Sequence, residues 1–188
     1  AYLEKDMEAD GTRYLEAVLS TEAKGTDDLC DRGRIYYYME DYANAKKELT
    51  DASNQGSQEA LLVLGMVYSA QQDYANARSM YQQFVNQKLE DTSRNQTQTA
   101  APGYNGLAVC DMAEGNFDSA LENINNGISV AADDEMQSLL FNESVIYEKK
   151  LDFSTAQAKA QEYVGMYPDD EEAAKELDFL KSRTGTVQ

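Results

Sequence analysis

The pentapeptide Asp-Tyr-Ala-Asn-Ala occurs twice without change, at Asp41 to Ala45 and Asp73 to Ala77, and looser copies stand at Asn116 to Ala120 and Asp152 to Ala156. An aromatic residue followed three positions later by alanine, recurring every few tens of residues, marks one supersecondary unit copied along the chain. A single unit of that size cannot bury its apolar face alone, so the copies must stack, and stacking generates binding surface rather than a reaction centre. Tyr42, Tyr74, Phe117 and Phe153 are spaced by 32, 43 and 36 residues. Twelve positions before each alanine lies a small residue: Gly33, Gly65, Ala108 and Ser144. Three positions after the first, second and fourth of these come Tyr36, Tyr68 and Tyr147.

The period inside each copy is helical. Tyr36, Tyr68 and Tyr147, with Leu29, Leu61, Tyr104 and Leu140, predict the buried stripe of a first helix; Leu49 with Ala52, Tyr81 with Phe84, Ile124 with Gly127 and Ala160 with Tyr163 predict that of a second. Matched small residues on the two helices let them approach closely, and turns such as Glu114-Gly115-Asn116 separate them. This order of small residue, Tyr, aromatic and Ala resembles the tetratricopeptide repeat family. The resemblance implies an all-α, right-handed α-solenoid of helix-turn-helix repeats forming a single domain with a C-terminal capping helix. On that register residues 1–25 are a partial repeat, 26–57 the first full repeat, 58–100 the second with an insertion, 101–136 the third, 137–170 the fourth, 171–183 the capping helix and 184–188 a tail.

Some positions depart from the family pattern. Asp111 stands where the family has Tyr, Glu143 where it has Leu, and only the fourth repeat ends in proline, at Pro168. The polar stretch Lys88 to Ala100 carries the insertion and predicts a lengthened second helix followed by a loop near Asp91 to Thr99, with Pro102-Gly103 restarting the next helix. The opening Ala1-Tyr2-Leu3-Glu4-Lys5 reads as the middle of an uncapped helix, which implies a preceding segment.

Composition excludes more chemistry than it suggests. The 188 residues contain no histidine, which removes the commonest general base and a principal transition-metal ligand. Neither a phosphate-binding glycine loop nor a calcium-loop spacing is present, so no catalytic residue, metal site or cofactor is expected. The acidic clusters at Asp27-Asp28, Asp133-Asp134-Glu135 and Asp169 to Glu172 each precede or open a predicted helix, where capping and dipole compensation account for them. Thirty-four acidic against sixteen basic side chains give a formal charge of -18, which repels nucleic acid and anionic lipid and attracts basic protein segments. Cys30 and Cys110 lack metal-like spacing and read as free thiols. The longest apolar run, Ala60 to Tyr68, is too short to cross a bilayer.

The family resemblance also implies a concave groove lined by first-helix side chains. Those positions are Cys30, Arg34, Tyr37 and Tyr38, then Leu62, Met66 and Ser69, then Asn105, Val109 and Met112, and finally Phe141, Val145 and Glu148. Such a mixture suits a peptide with apolar anchors, and equally a packed terminal helix. Only Arg34 and Asn105 have the chemistry of the carboxylate-clamping subclass, so that mode is not expected. The reading is a non-enzymatic protein-interaction module, monomeric or weakly dimeric, that binds a peptide or partner segment, basic or with apolar anchors. Its alternative is a self-associating structural scaffold of a cell-surface assembly. The abrupt start and the Asn, Gln, Ser and Thr richness favour an extracytoplasmic bacterial protein over a cytoplasmic one, against which two unpaired thiols weigh.

Overall fold

The structure, a computed structural model, describes residues 15–91 and 99–185, and among these every regular element is helical. Residues 15–19 are helical. Nine further helices follow: α1 (Thr26–Tyr38), α2 (Tyr42–Asn54), α3 (Gln58–Ala70), α4 (Tyr74–Glu90), α5 (Ala101–Ala113), α6 (Phe117–Val130), α7 (Met136–Lys149), α8 (Phe153–Met166) and α9 (Glu171–Thr184). At 17 residues α4 is longer than the other eight, which have 13 or 14, in line with the lengthened helix that the polar insertion predicts. Most of the loop expected near Asp91 to Thr99 lies outside the described residues, as do residues 1–14 of the expected partial repeat.

Four turns share one geometry: those entering α2, α4, α6 and α8. Asp41, Asp73, Asn116 and Asp152 donate their backbone N–H to the carbonyls of Tyr36, Tyr68, Asp111 and Tyr147, six-to-one closures that satisfy the helix C-termini. This closure forces the preceding residue into the left-handed region, with φ of 58° at Glu40, 60° at Gln72, 78° at Gly115 and 63° at Leu151. Only the third turn uses glycine there, which explains why only that turn was explicit in the sequence. Asp41 and Asp152 then cap their helices by accepting from the N–H of Asn44 and Thr155. Leu151 is 73% exposed, so its side chain contributes almost no burial to offset its strained backbone. Leu151→Gly is expected to stabilise the protein by about 0.5–1 kcal/mol, the left-handed penalty less the entropy glycine gains on unfolding, seen as a raised urea midpoint. A lowered midpoint would refute the shared turn.

The acidic clusters separate on inspection. Asp27 and Asp28 lie in the first turn of α1, and Asp170 caps α9 ahead of Glu171 and Glu172. The middle cluster does not cap α7. Glu135 instead accepts from the backbone N–H and hydroxyl of Thr99 at 3.1 and 2.6 Å and from the N–H of Ala132, tying the entry of α5 to the α6–α7 connection.

Helix contacts divide the chain between Asp73 and Tyr74 into two compact units. In the first, α1, α2 and α3 pack on one another. Gly33 makes the closest approach: a Cβ there would meet Leu49 of α2 at 2.4 Å. Helix α3 buries seven of its residues, including Leu61, Leu64 and Val67. Arg32 fastens residues 19–21 to this unit, donating to the carbonyls of Leu19 and Thr21 and pairing with Glu48 at 3.2 Å.

In the second unit α4 to α9 pack in sequence order. Gly103 and Gly106 of α5 lie against Phe84, Val85 and Tyr81 of α4, and Gly127 of α6 lies against Leu139 of α7. One apolar cluster joins Ala108, Ala120, Ile124, Leu139 and Ile146; another joins Ala156 and Ala160 to Leu177 and Leu180 of α9. All four repeat alanines, Ala45, Ala77, Ala120 and Ala156, are fully buried. The register tyrosines Tyr36, Tyr42, Tyr68, Tyr74 and Tyr147 are half-buried, less than their expected core role. In α7 it is Leu139, rather than the expected Leu140, that is sealed from solvent.

Both polar departures from the repeat pattern are buried and satisfied. Asp111 pairs with Arg78 of α4 at 2.9 Å and accepts from Asn123 Nδ2 of α6 at 2.8 Å. Burial opposes charge on Arg78, but the hydrogen bond and charge of Asp111, with Glu114 at 2.8 Å, outweigh it and raise the guanidinium pKa. Glu143 pairs with Lys159 of α8 at 3.1 Å, and that hydrogen bond is the main reason the Lys159 pKa is raised.

Candidate functional site

The sequence-derived groove residues fall into two sets, one in each unit. In the first, Arg34 is committed to acidic neighbours, with Asp31 at 3.9 Å and Glu59 of α3 in direct contact. Tyr37 and Tyr38 close α1 at the turn end of its hairpin. The Tyr37 ring stands 5.5 Å from Tyr38 and 6.3 Å from Tyr42, and burial, then the neighbouring phenols of Tyr42 and Tyr38, raise its pKa. Tyr38 is 73% exposed, the most open aromatic side chain among the described residues of this unit. Met66 and Ser69 of α3 are half-buried. Leu62 and Cys30 are buried, so they contribute to packing rather than to an open face. Burial and then Glu59 push the Cys30 thiol up, which leaves it a poor nucleophile.

In the second unit Asn105 accepts from Asn142 Nδ2 at 2.8 Å, which joins α5 to α7. Val109 and Val145 are half-buried, while Met112 packs on the apolar cluster of α5 to α7. Glu148 of α7 faces Glu176 of α9, whose carboxyl pKa is raised by burial and by that negative neighbour. Phe141 leads elsewhere: its ring meets Tyr163 of α8 edge-on at 5.6 Å, in the wall of a cleft.

That cleft has a volume of about 370 Å³ and lies where α7, α8 and the start of α9 meet. Phe141, Tyr163, Gln137 and Ser138 line it, together with the carboxylates of Asp134, Asp170 and Glu172. Its polar order is set by Tyr163, whose hydroxyl donates to Asp170 Oδ2 at 2.6 Å and accepts from Gln137 Nε2 at 3.0 Å. Burial, followed by the hydrogen bond to Asp170, pushes the Tyr163 pKa up to about 12. Such a phenol stays protonated near neutrality. Asp170 is held by the Tyr163 hydroxyl and by the N–H of Ala173, which lower its pKa and keep it ionised. Among the described residues no group of three or more Cys, Asp or Glu could hold a metal ion. Sequence reasoning placed Tyr163 in the core and Asp170 at a cap. Both statements hold, but their pairing across the α8–α9 corner needed tertiary structure.

Residues 59–87 match the tetratricopeptide repeat family. No curated protein matches the chain by sequence. Among solved structures, a chain of the APC/C hetero-tetramer Cut9-Hcn1 is similar at TM-score 0.70 and 16% identity, over 83% of this chain and 30% of that one. The present chain therefore spans less than a third of that relative. A thermophilic TPR protein of Thermus thermophilus, TTC0263, is similar at TM-score 0.67 and 16% identity, over 86% of this chain and 84% of that one. MamA gives TM-score 0.62 and 17% identity, with coverages of 85% and 82%. Identities this low bear on the fold alone. Among the described residues no helix is long and apolar enough to cross a membrane.

Proposed function

Because the chain is of the tetratricopeptide repeat family, matched at residues 59–87 and alike in fold over most of its length, we propose that it is a non-enzymatic module that binds a peptide or partner segment. The fold suggests protein partners, and the Cut9-Hcn1 structure is itself an assembly of two different proteins. The observation that carries this reading is the exposed Tyr38 ring beside Tyr37, an open aromatic surface on a rigid helix end. Aromatic side chains of this kind anchor interfaces at small entropic cost. Half-buried Met66 and Ser69 on α3 add adaptable apolar and polar contact in the same unit. Within the second unit Asn105, Val109 and Val145 supply the corresponding face, while Phe141 turns to the cleft wall. Repeats whose side chains are spent on packing leave no constellation for chemistry, and the absence of histidine from the sequence supports a binding role.

Affinity capture with the parent chain as bait, set against a Tyr38→Ala, Met66→Ala double variant, tests the assignment. Partners held by the helix faces should fall at least tenfold in recovery, as expected when two interface anchors are truncated. Unchanged recovery from a variant that melts like the parent would show that binding uses another surface.

A further inference from the structure

Resting on the reading of the chain as a peptide-binding module, we propose that the cleft of α7, α8 and α9 receives one basic side chain, arginine in preference to lysine, from an extended segment of a partner protein. Its walls supply what a guanidinium requires. Half-buried Phe141 presents an aromatic ring, whose quadrupole attracts a cation, and the buried Tyr163 ring backs it edge-on at 5.6 Å. Asp134, Asp170 and Glu172 place three carboxylates around the same opening, and among the described residues no lysine or arginine lines it. Among the described residues neither Asp134 nor Glu172 is engaged in an ion pair, so their charge is available to a ligand.

The interior is pre-arranged. Tyr163 donates to Asp170, and Gln137 donates to Tyr163, so the Gln137 carbonyl oxygen remains as an acceptor. With the donors turned inward, the opening favours a ligand that brings donors of its own. Guanidinium offers five in a plane that can also stack on a ring, whereas ammonium offers only a point charge. Size points the same way: 370 Å³ lies at the low end of the roughly 300–1,000 Å³ typical of small-ligand clefts, enough for one long side chain. A hollow of about 620 Å³ adjoins it, sharing Gln137, Asp170 and Glu172 and bounded by Tyr167 and Pro168, with room for the flanking backbone. The formal charge of -18 disfavours an acidic peptide and a second copy of this chain as occupants.

Calorimetry and backbone amide shifts with the pentapeptide acetyl-Gly-Ser-Arg-Ser-Gly-amide, against the same peptide carrying norleucine in place of arginine, give a direct test on the whole chain. The arginine peptide should bind at least tenfold more tightly than the norleucine peptide and more tightly than a lysine one, with saturable shifts centred on Gln137, Phe141 and Tyr163. In an Asp134→Asn, Glu172→Gln variant, two exposed changes outside the packed core, affinity should drop about tenfold while the melting curve stays close to the parent. Phe141→Leu, which keeps apolar volume and removes the ring, should weaken arginine binding more than lysine binding. Equal affinity for the norleucine peptide, or shifts spread evenly over the acidic surface, would overturn the assignment, as would indifference to the double variant. If the arginine peptide fails to bind while partner capture still depends on Tyr38 and Met66, this cleft assignment falls and the interaction module stands. Arginine binding with no partner dependence on those residues gives the converse.

Discussion

Gly106→Val is expected to destabilise the protein by about 3 kcal/mol, the upper end of ordinary overpacking costs, and to lower both the urea midpoint and the melting temperature. A Cβ at Gly106 would stand 2.5 Å from two ring atoms of Tyr81, and Tyr81 is buried on α4 with little room to retreat. One turn earlier, Gly103 meets Phe84 and Val85 at 2.6 Å, so the second unit has the same close approach twice along one helix pair. Gly106→Ala is the sharper experiment because two effects oppose each other there. Helix propensity alone would stabilise α5 by about 1 kcal/mol. The steric clash should exceed that gain and leave a net loss of about 1 kcal/mol, since the ring cannot yield without disturbing a packed interior. Tyr81→Leu in the Gly106→Ala background should return part of the loss, a coupling that distant sites would not show. A raised midpoint for Gly106→Ala would mean that α4 and α5 do not touch at this point.

The close approach of α4 and α5 was only half legible. Alanine at Ala45, Ala77, Ala120 and Ala156 and the small residues twelve positions earlier announced tight helix pairs, because nothing else in the chain repeats with that regularity. Gly103 read as a helix start after Pro102, and Gly106 carried no signal of its own. Their role depends on which side chains the neighbouring helix presents, and the polar insertion breaks the register that would have revealed it. The turns show the opposite limit. Glu40, Gln72 and Leu151 adopt left-handed backbone without glycine, so residue identity hid a geometry that the repeat itself imposes. Among the groove residues Tyr38 is exposed, whereas helical angle gave no warning that Leu62 and Cys30 are covered. The acidic cleft was invisible for a related reason. Phe141 lies in α7, Tyr163 in α8 and Asp170 at the cap of α9, and their meeting at one corner depends on side-chain packing that the repeat pattern does not specify.

Asp111 shows how a departure from a repeat pattern can be read as half of a pair. In the register of the repeats Asp111 is the counterpart of Tyr68, and Arg78 is the counterpart of Lys46, each four residues beyond its aromatic. Lys46 lies 5.5 Å over the Tyr68 ring, a cation facing an aromatic; Arg78 lies 2.9 Å from Asp111, a cation facing a carboxylate. The basic residue is thus kept while its partner changes from ring to charge. Arg78→Met should cost about 2 kcal/mol. That is less than the roughly 3–5 kcal/mol for breaking a wholly buried pair, because the Arg78 side chain is 34% exposed and solvent screens part of the attraction. The loss arises chiefly at Asp111, which is only 4% exposed and would keep Asn123 as its remaining side-chain partner in the pair's network. Adding Asp111→Leu to Arg78→Met removes the stranded charge and should recover more than half of the loss, since a buried ion pair is roughly matched by apolar residues of similar volume. Unfolding of the parent, both single variants and the double variant closes the thermodynamic cycle. A coupling near zero, with Arg78→Met melting like the parent, would make the contact an ordinary surface pair and leave the buried carboxylate without its charge partner.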